Sequence, residues 1–332
     1  RSRGLAPSLR LPDINLPNES VFCAGADIKS AFAYAHQGQV YVSQFLGDME
    51  HFDTQEHYRH VLNQFLSWFQ VRPGLVVADQ HPGYFSGKMA AEYAQASDVP
   101  IIYVQHHEAH FAAVLAENNL LQSREPVLGV VWDGTGYGRD GHIWGGEFFS
   151  WQEGQTERLS HWSYFPNLAG EKMAREPRLA ALAVCGSDAL LEHHFSAQEW
   201  TLYLKLRDVQ PALKSSSMGR MFDAAAAVLG LISKNTYEGE AALLLESLAS
   251  PDEPPYAGNY LMDNGQADTQ LLFRRLLDDR RIGTEPAVCA GRWLRTLVEV
   301  VRQMAEHHGF KHIAFSGGVF QNTLLLDMIE HL

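Results

Sequence analysis

Cysteine is scarce in this sequence: only Cys23, Cys185 and Cys289 occur among 332 residues. They form no C-x-x-C pair, which excludes a zinc ribbon and a disulfide framework, and the expected setting is a reducing compartment, the cytoplasm. Long apolar runs are also missing. None reaches the roughly 18 residues that a bilayer crossing needs, so no membrane association is expected. Positive charge is in short supply, with 26 Lys and Arg against 39 Asp and Glu and a net charge of −13. That balance argues against a broad phosphate-backbone footprint and hence against a nucleic-acid partner. No Ser-His-Asp or Cys-His arrangement offers a nucleophile. The metalloprotease pattern H-E-x-x-H fails as well, because His107-Glu108 would need a histidine where Phe111 stands. What remains, at 46 % hydrophobic and 20 % charged, is an ordinary globular composition long enough for two domains.

Histidine, in contrast, is concentrated. The stretch VQHHEAHFAAVLAEN (104–118) places His106, His107 and His110 where an apolar strand passes into an amphipathic helix. His106 and His110 are four residues apart, on one helical face and about one turn from each other, which suits two ligands on one ion. A lone histidine of this kind is more often a core or surface residue. In a chain with 16 histidines such a pair also arises by chance.

The order of elements repeats. Residues 20–47 read as three short strands, followed by a helix in TQEHYRHVLNQFLSWF, a buried strand LVVADQ, a helix GKMAAEYAQA, a buried strand IIYVQH and the histidine helix. After the polar break NNLLQSREP, the segments VLGVVWDG, HIWGGEFFS and RLSHWSYF read as three more strands. A long helical stretch containing 217–232 and 238–249 follows, then a helix near 290–307, the strand HIAFSGG and a helix from 321. Strands alternating with helices predict an α/β fold of parallel sheet with crossover helices, in two similar lobes. The expected division is an arm at 1–19, a first lobe at 20–120 and a second lobe at 121–332. Both ends read as cut from something longer.

Glycine-rich turns stand where phosphates are commonly held. They are CAGADIKS (23–30), WDGTGYGRDGHIWGG (132–146) and FSGGVFQN (315–322). Such turns expose backbone N–H groups to an anion, although glycine also serves hairpins generally. Lys29 is the lysine of the first turn, and Asp133 ends an apolar strand where a carboxylate can ligate a metal or cap a turn. Asp223, in SMGRMFDAAAAVLGL, is either partnered in the core or faces a cleft and a ribose. Glu238 and Glu240 open a helix, where helix-dipole complementarity is the default.

These segments resemble the carboxy-terminal part of the HypF carbamoyltransferases of [NiFe] hydrogenase maturation. The resemblance runs through RSRGLAP, GADIKS, SQFLGDME, ADQHPGYFS, VQHHEAHFAAVLAEN, VVWDGTGYGRDGHIWGGEFF, AREP, SSSMGRMFDAAAAVLGL, YEGEAA and FSGGVFQN. It implies a duplicated actin/Hsp70/sugar-kinase-like (ribonuclease H-like, ASKHA) fold with a nucleotide cleft, shared with the tRNA threonylcarbamoyl transferases. It implies His106, His110 and Asp133 as ligands of a divalent Zn or Fe ion. Phosphates of ATP, AMP or carbamoyl adenylate would lie near Lys29, Gly134, Thr135, Gly136 and Gly138. Gly317, Gly318 and Asn322 would line the adenosine pocket, with Asp223 and Glu238 as ribose contacts. Lys29, His106, His110 and Asp133 become the catalytic set. The implied reaction passes a carbamoyl group, made by an upstream carbamoyl-adenylate-forming domain of the same polypeptide, to the C-terminal cysteine of the partner HypE. The chain departs from the family pattern at AGEK (169–172), where Glu171 takes the acidic position, and at Leu294, where a histidine is expected. The rival readings are a tRNA threonylcarbamoyl transferase-like enzyme, a non-catalytic nucleotide-binding scaffold and a metallohydrolase.

Overall fold

A computed structural model describes residues 8–9, 20–70, 72–209 and 212–331. The expected arm at 1–19 falls outside the described residues except for Ser8–Leu9. The chain divides into two compact units, Arg1–Gln122 and Ser123–Leu332. Each has its own hydrophobic core.

The first unit runs β1 (Ser8–Leu9), β2 (Val21–Cys23), β3 (Ala33–His36), β4 (Gln39–Val42), α1 (Phe52–Phe69), β5 (Leu75–Asp79), α2 (Phe85–Ser97), β6 (Ile101–Val104) and α3 (His106–Glu117). Its sheet has the order β1-β4-β3-β2-β5-β6. Strands β2, β3 and β4 form an antiparallel meander, and β5 returns parallel to β2 with β6 parallel to β5. The core is aromatic: Phe22, Phe32, Tyr34, Tyr58 and Phe65 are almost fully buried. Phe32 meets Phe65 edge-on with centroids 5.2 Å apart. This is the geometry that places a positive ring edge against a negative face.

The second unit opens with the same meander, β7 (Val127–Tyr137), β8 (Ile143–Gln152) and β9 (Gln155–His161). The short β10 (Phe165–Pro166) follows, then α4 (Lys172–Arg175), α5 (Pro177–Cys185), a 3-10 turn, α6 (Ala197–Asp208), β11 (Lys214–Ser215), α7 (Met218–Val228), α8 (Glu240–Leu248), α9 (Thr269–Arg281) and α10 (Pro286–His308). β12 (His312–Ser316), a second 3-10 turn and α11 (Thr323–Ile329) complete it. β12 runs parallel to β7, as β5 runs parallel to β2. The two sheets therefore share a central motif, an antiparallel meander with a parallel strand beside its first strand, although no residue-level repeat is visible in the sequence.

Two expectations are corrected here. The stretch expected as long helix is broken into α4 to α8, because Gly186 and Gly230 sit at φ of 75° and 74° after their helices and Ser196 opens α6 with a capping box. The second glycine turn is also smaller than expected. β7 does not end at Asp133 but continues to Tyr137 across an irregularity between Trp132 and Gly136. Asp133, Gly134 and Thr135 there stand opposite Gly145 alone, a bulge that lifts them out of the ladder. Leu294 is fully buried in α10 between the core residues Trp293 and Leu297, so an apolar side chain suits that position. Glu171 is exposed just ahead of α4. Among the described residues, no helix is long and apolar enough to cross a membrane.

Candidate functional site

In the first unit, chemistry gathers at the C-terminal ends of β5 and β6, where parallel strands feed helices. The strand predicted over IIYVQH stops at Val104, and Gln105 is the N-cap of α3. The buried Gln105 side chain accepts from the N–H groups of His107 (2.7 Å) and Glu108 (3.1 Å), which fixes where the helix begins. Its amide nitrogen lies 3.1 Å from Nδ1 of the buried His107, which ties that ring to the cap. His106 and His110 are brought together as the spacing predicts, with ring centroids 4.8 Å apart. Asp79, the last residue of β5, places Oδ2 3.2 Å from His106 Nδ1. Sequence reading assigned no role to Asp79. The available signal was a carboxylate ending an apolar strand in ADQHPGY.

The first glycine turn packs on α2. Asp27 accepts from the N–H groups of Phe85 (2.7 Å) and Ser86 (2.9 Å) through separate carboxylate oxygens. The α2 N-terminus therefore already carries a carboxylate, which satisfies its unpaired donors and its dipole. Gly25 is required for close approach, since a Cβ there would lie 2.1 Å from the Ala31 carbonyl oxygen. Lys29 is exposed in this turn at φ 53°, its N–H donating to Asp48 at 2.8 Å.

In the second unit, Asp133 sits in the β7 bulge. Its Oδ1 accepts from Gly134 N (2.8 Å) and Gly318 N (3.3 Å), so the second and third glycine turns converge on one carboxylate. The bulge rests on the N-terminus of α7, where Ser217 Oγ donates to the Gly134 carbonyl at 2.5 Å. Glycine is needed at this seat: a Cβ on Gly219 would lie 2.9 Å from the Gly134 Cα, and one on Gly145 2.6 Å from the Asp133 carbonyl oxygen. Thr135 is exposed and Gly136 is paired back into the ladder opposite Trp144. Gly138 makes the hairpin turn with His142 and is pressed against the Trp144 indole. Gly317 holds φ 103°, with its Cα facing the Trp132 carbonyl so closely that a Cβ would stand 2.1 Å away. Asn322 caps α11 by accepting from Leu325 N at 2.8 Å, and its buried amide nitrogen has no hydrogen-bond partner among the described residues.

Asp223 is 3 % exposed, and both its oxygens are engaged, with Arg220 Nε at 2.6 Å and Asn235 Nδ2 at 3.3 Å. Of the two readings of this residue, partnership in the core describes the structure. Burial pushes its carboxyl above the ordinary aspartate value, against the pull of Arg220 and Asn235. Glu238 is exposed ahead of α8. A buried network that sequence reading missed stiffens the hairpin. Glu147 accepts from Gly145 N, Gly146 N, Ser216 Oγ (2.5 Å) and Arg158 Nε (2.6 Å). Arg158 also lies 3.7 Å over the Trp144 ring. The thiols are not poised for attack: burial pushes Cys23 and Cys289 up to about 11 and Cys185 higher still.

Two mixed sheets built on one meander motif, with glycine turns and a histidine pair at strand ends, define a duplicated α/β fold of the Kae1-like, actin/Hsp70/sugar-kinase class. Comparison with known proteins makes the assignment specific. Residues 17–117 match the family described as HypF Kae1-like domain, and residues 129–332 match Carbamoyltransferase, Kae1-like Domain, second subdomain. The chain belongs to the HypF carbamoyltransferase family. It is 32 % identical to the carbamoyltransferase HypF of Synechocystis sp., over 98 % of this chain and 45 % of that protein. A carbamoyltransferase HypF homolog of Cupriavidus necator is 33 % identical, over 93 % of this chain and 83 % of its own length. Among solved structures, full-length HypF in its phosphate- and nucleotide-bound form superposes with a TM-score of 0.84 at 30 % identity, over 95 % of this chain and 51 % of that one. The chain thus spans about half the length of most of the curated relatives it matches.

Proposed function

We propose that this chain is the carbamoyl-transferring part of a HypF enzyme, cytoplasmic, working on carbamoyl adenylate supplied by an upstream domain. The acceptor is the C-terminal cysteine thiolate of HypE. Its sulfur attacks the carbamoyl carbon, a C–S bond forms, the bond from that carbon to the phosphate oxygen breaks, and AMP leaves. The incoming nucleophile belongs to the partner, which accords with three thiols here that burial keeps protonated.

The observation that carries the reading is the pairing of His106 and His110 on α3, one of them backed by a carboxylate. Two imidazoles with Asp133 as third ligand form a donor set suited to Zn²⁺ or Fe²⁺. Such an ion, when bound, would supply Lewis acidity toward a phosphate or carbonyl oxygen. Asp133 is held for that role by two backbone N–H groups, which fix its carboxylate without neutralising it. Lys29 and the turn around Gly134, Thr135, Gly136 and Gly138 are assigned to the phosphates. Gly317, Gly318, Asn322 and the exposed Glu238 are assigned to adenosine, with the Asn322 amide, which has no partner among the described residues, as a donor available to a base. Asp223 contributes by anchoring Arg220.

The test supplies carbamoyl adenylate to the full-length enzyme with a peptide ending in cysteine, and mass spectrometry reads the peptide. The reading expects a gain of one carbamoyl group on sulfur, abolished by His110→Ala. An unmodified peptide with wild type overturns it and favours a nucleotide-binding scaffold.

A further inference from the structure

We propose that Asp79 is a positioning residue for the histidine pair, a role that rests on reading His106 and His110 as metal ligands. Asp79 ends β5, its side chain is 8 % exposed, and Oδ2 reaches Nδ1 of His106 at 3.2 Å. The carboxylate is itself held, because Oδ1 accepts the His81 N–H at 2.7 Å. The turn behind it is closed by its own contacts: the His81 and Tyr84 rings stack at 4.0 Å and 15°, and Gly83 N donates to His81 Nδ1 at 3.1 Å. A pinned carboxylate facing Nδ1 selects the neutral tautomer with its proton on Nδ1 and its lone pair on Nε2. Nε2 is then the atom offered to a cation. The same bond stops rotation of the ring. His106 lies at the first position of α3, where only the Gln105 cap precedes it. A tether from the neighbouring strand therefore fixes a ring that the helix alone would leave to choose among rotamers.

The experiment measures Co²⁺ and Zn²⁺ affinity of the full-length protein, by visible absorption and calorimetry, for wild type, Asp79→Asn, Asp79→Ala and His110→Ala. Thermal melts of the metal-free proteins show that each variant is folded. Loss of the orienting partner should weaken binding about tenfold for Asp79→Asn and toward about a hundredfold for Asp79→Ala, as such outer partners usually do. His110→Ala should remove one bound ion from the stoichiometry. If His110→Ala loses the metal while both Asp79 variants bind like wild type, the positioning role is overturned and the metal reading stands. If His110→Ala also binds like wild type, the metal reading falls and the proposal falls with it. A further measurement needs no change at Asp79. The ¹⁵N shifts of the His106 ring in the metal-free protein, assigned by their loss in His106→Gln, should report a proton on Nδ1. A proton on Nε2 alone overturns the proposal.

Discussion

At the scale of single residues, position in the chain predicted some contacts and not others. The His106–His110 pair could be read directly, because helical geometry converts a spacing of four into adjacency. Asp79 could not, since its contact spans 27 residues and depends on β5 lying beside β6. Gly219 is similar: its need for a bare Cα comes from a bulge far upstream in the sequence. Gly219→Ala should destabilise the second unit by about 1–3 kcal/mol, the usual cost of forcing an atom into packed backbone, read as a fall in the midpoint of urea unfolding. A midpoint equal to wild type would show that the seat under Asp133 yields freely. Asp223 adds a pH signature. Its folded value is raised above 3.8, so its favourable contribution is complete below 3.8 and is lost as pH rises through the folded value. Asp223→Asn, which cannot ionise, should flatten that part of the stability profile.

At the scale of elements, the meanders and the returning parallel strand were legible from alternation and buried runs. The interior of the second unit was less so. Residues 179–184 of α5 and 224–227 of α7 are fully buried. Such helices are buried on nearly every side, so their boundaries are set by caps and glycine more than by a polar face. α10 is the longest helix and does show its face clearly, with Trp293, Leu294, Leu297 and Val301 fully buried. Leu294→Ala should cost about 2–5 kcal/mol through lost burial and a residual cavity, measured by denaturant unfolding. Leu294→His places a polar ring in the same core and should cost at least as much; a smaller loss would mean that the pocket keeps a polar partner for histidine. The bulge in β7 was missed outright, as was α9. The bulge leaves no mark in composition, because the sequence DGTGY fits either a loop or a bulged strand.

At the scale of the whole molecule, acid should act on the second unit through histidines held below their ordinary value. His161, His194 and His308 all have values lowered from 6.5, with burial the largest cause in each. Below 6.5 the unfolded chain takes up protons that the folded one refuses, so stability is full above that pH and declines as pH falls toward the folded values. His161, the buried one of the three, contributes at most about 1.4 kcal/mol per pH unit, and the exposed His308 adds little. Unfolding midpoints across mildly acid pH check this, and a flat profile would contradict it. The two-unit fold and the family were both legible in the sequence because long motifs such as VQHHEAHFAAVLAEN and FSGGVFQN carry them. The chemistry attributed to the chain depends on whether the histidine pair is coupled to the nucleotide. The most direct measurement is a calorimetric titration of AMP into wild type and His110→Ala, with and without Zn²⁺. The account predicts metal-dependent binding in wild type and at least about tenfold weaker binding in the variant. Equal affinity in all four titrations would contradict it.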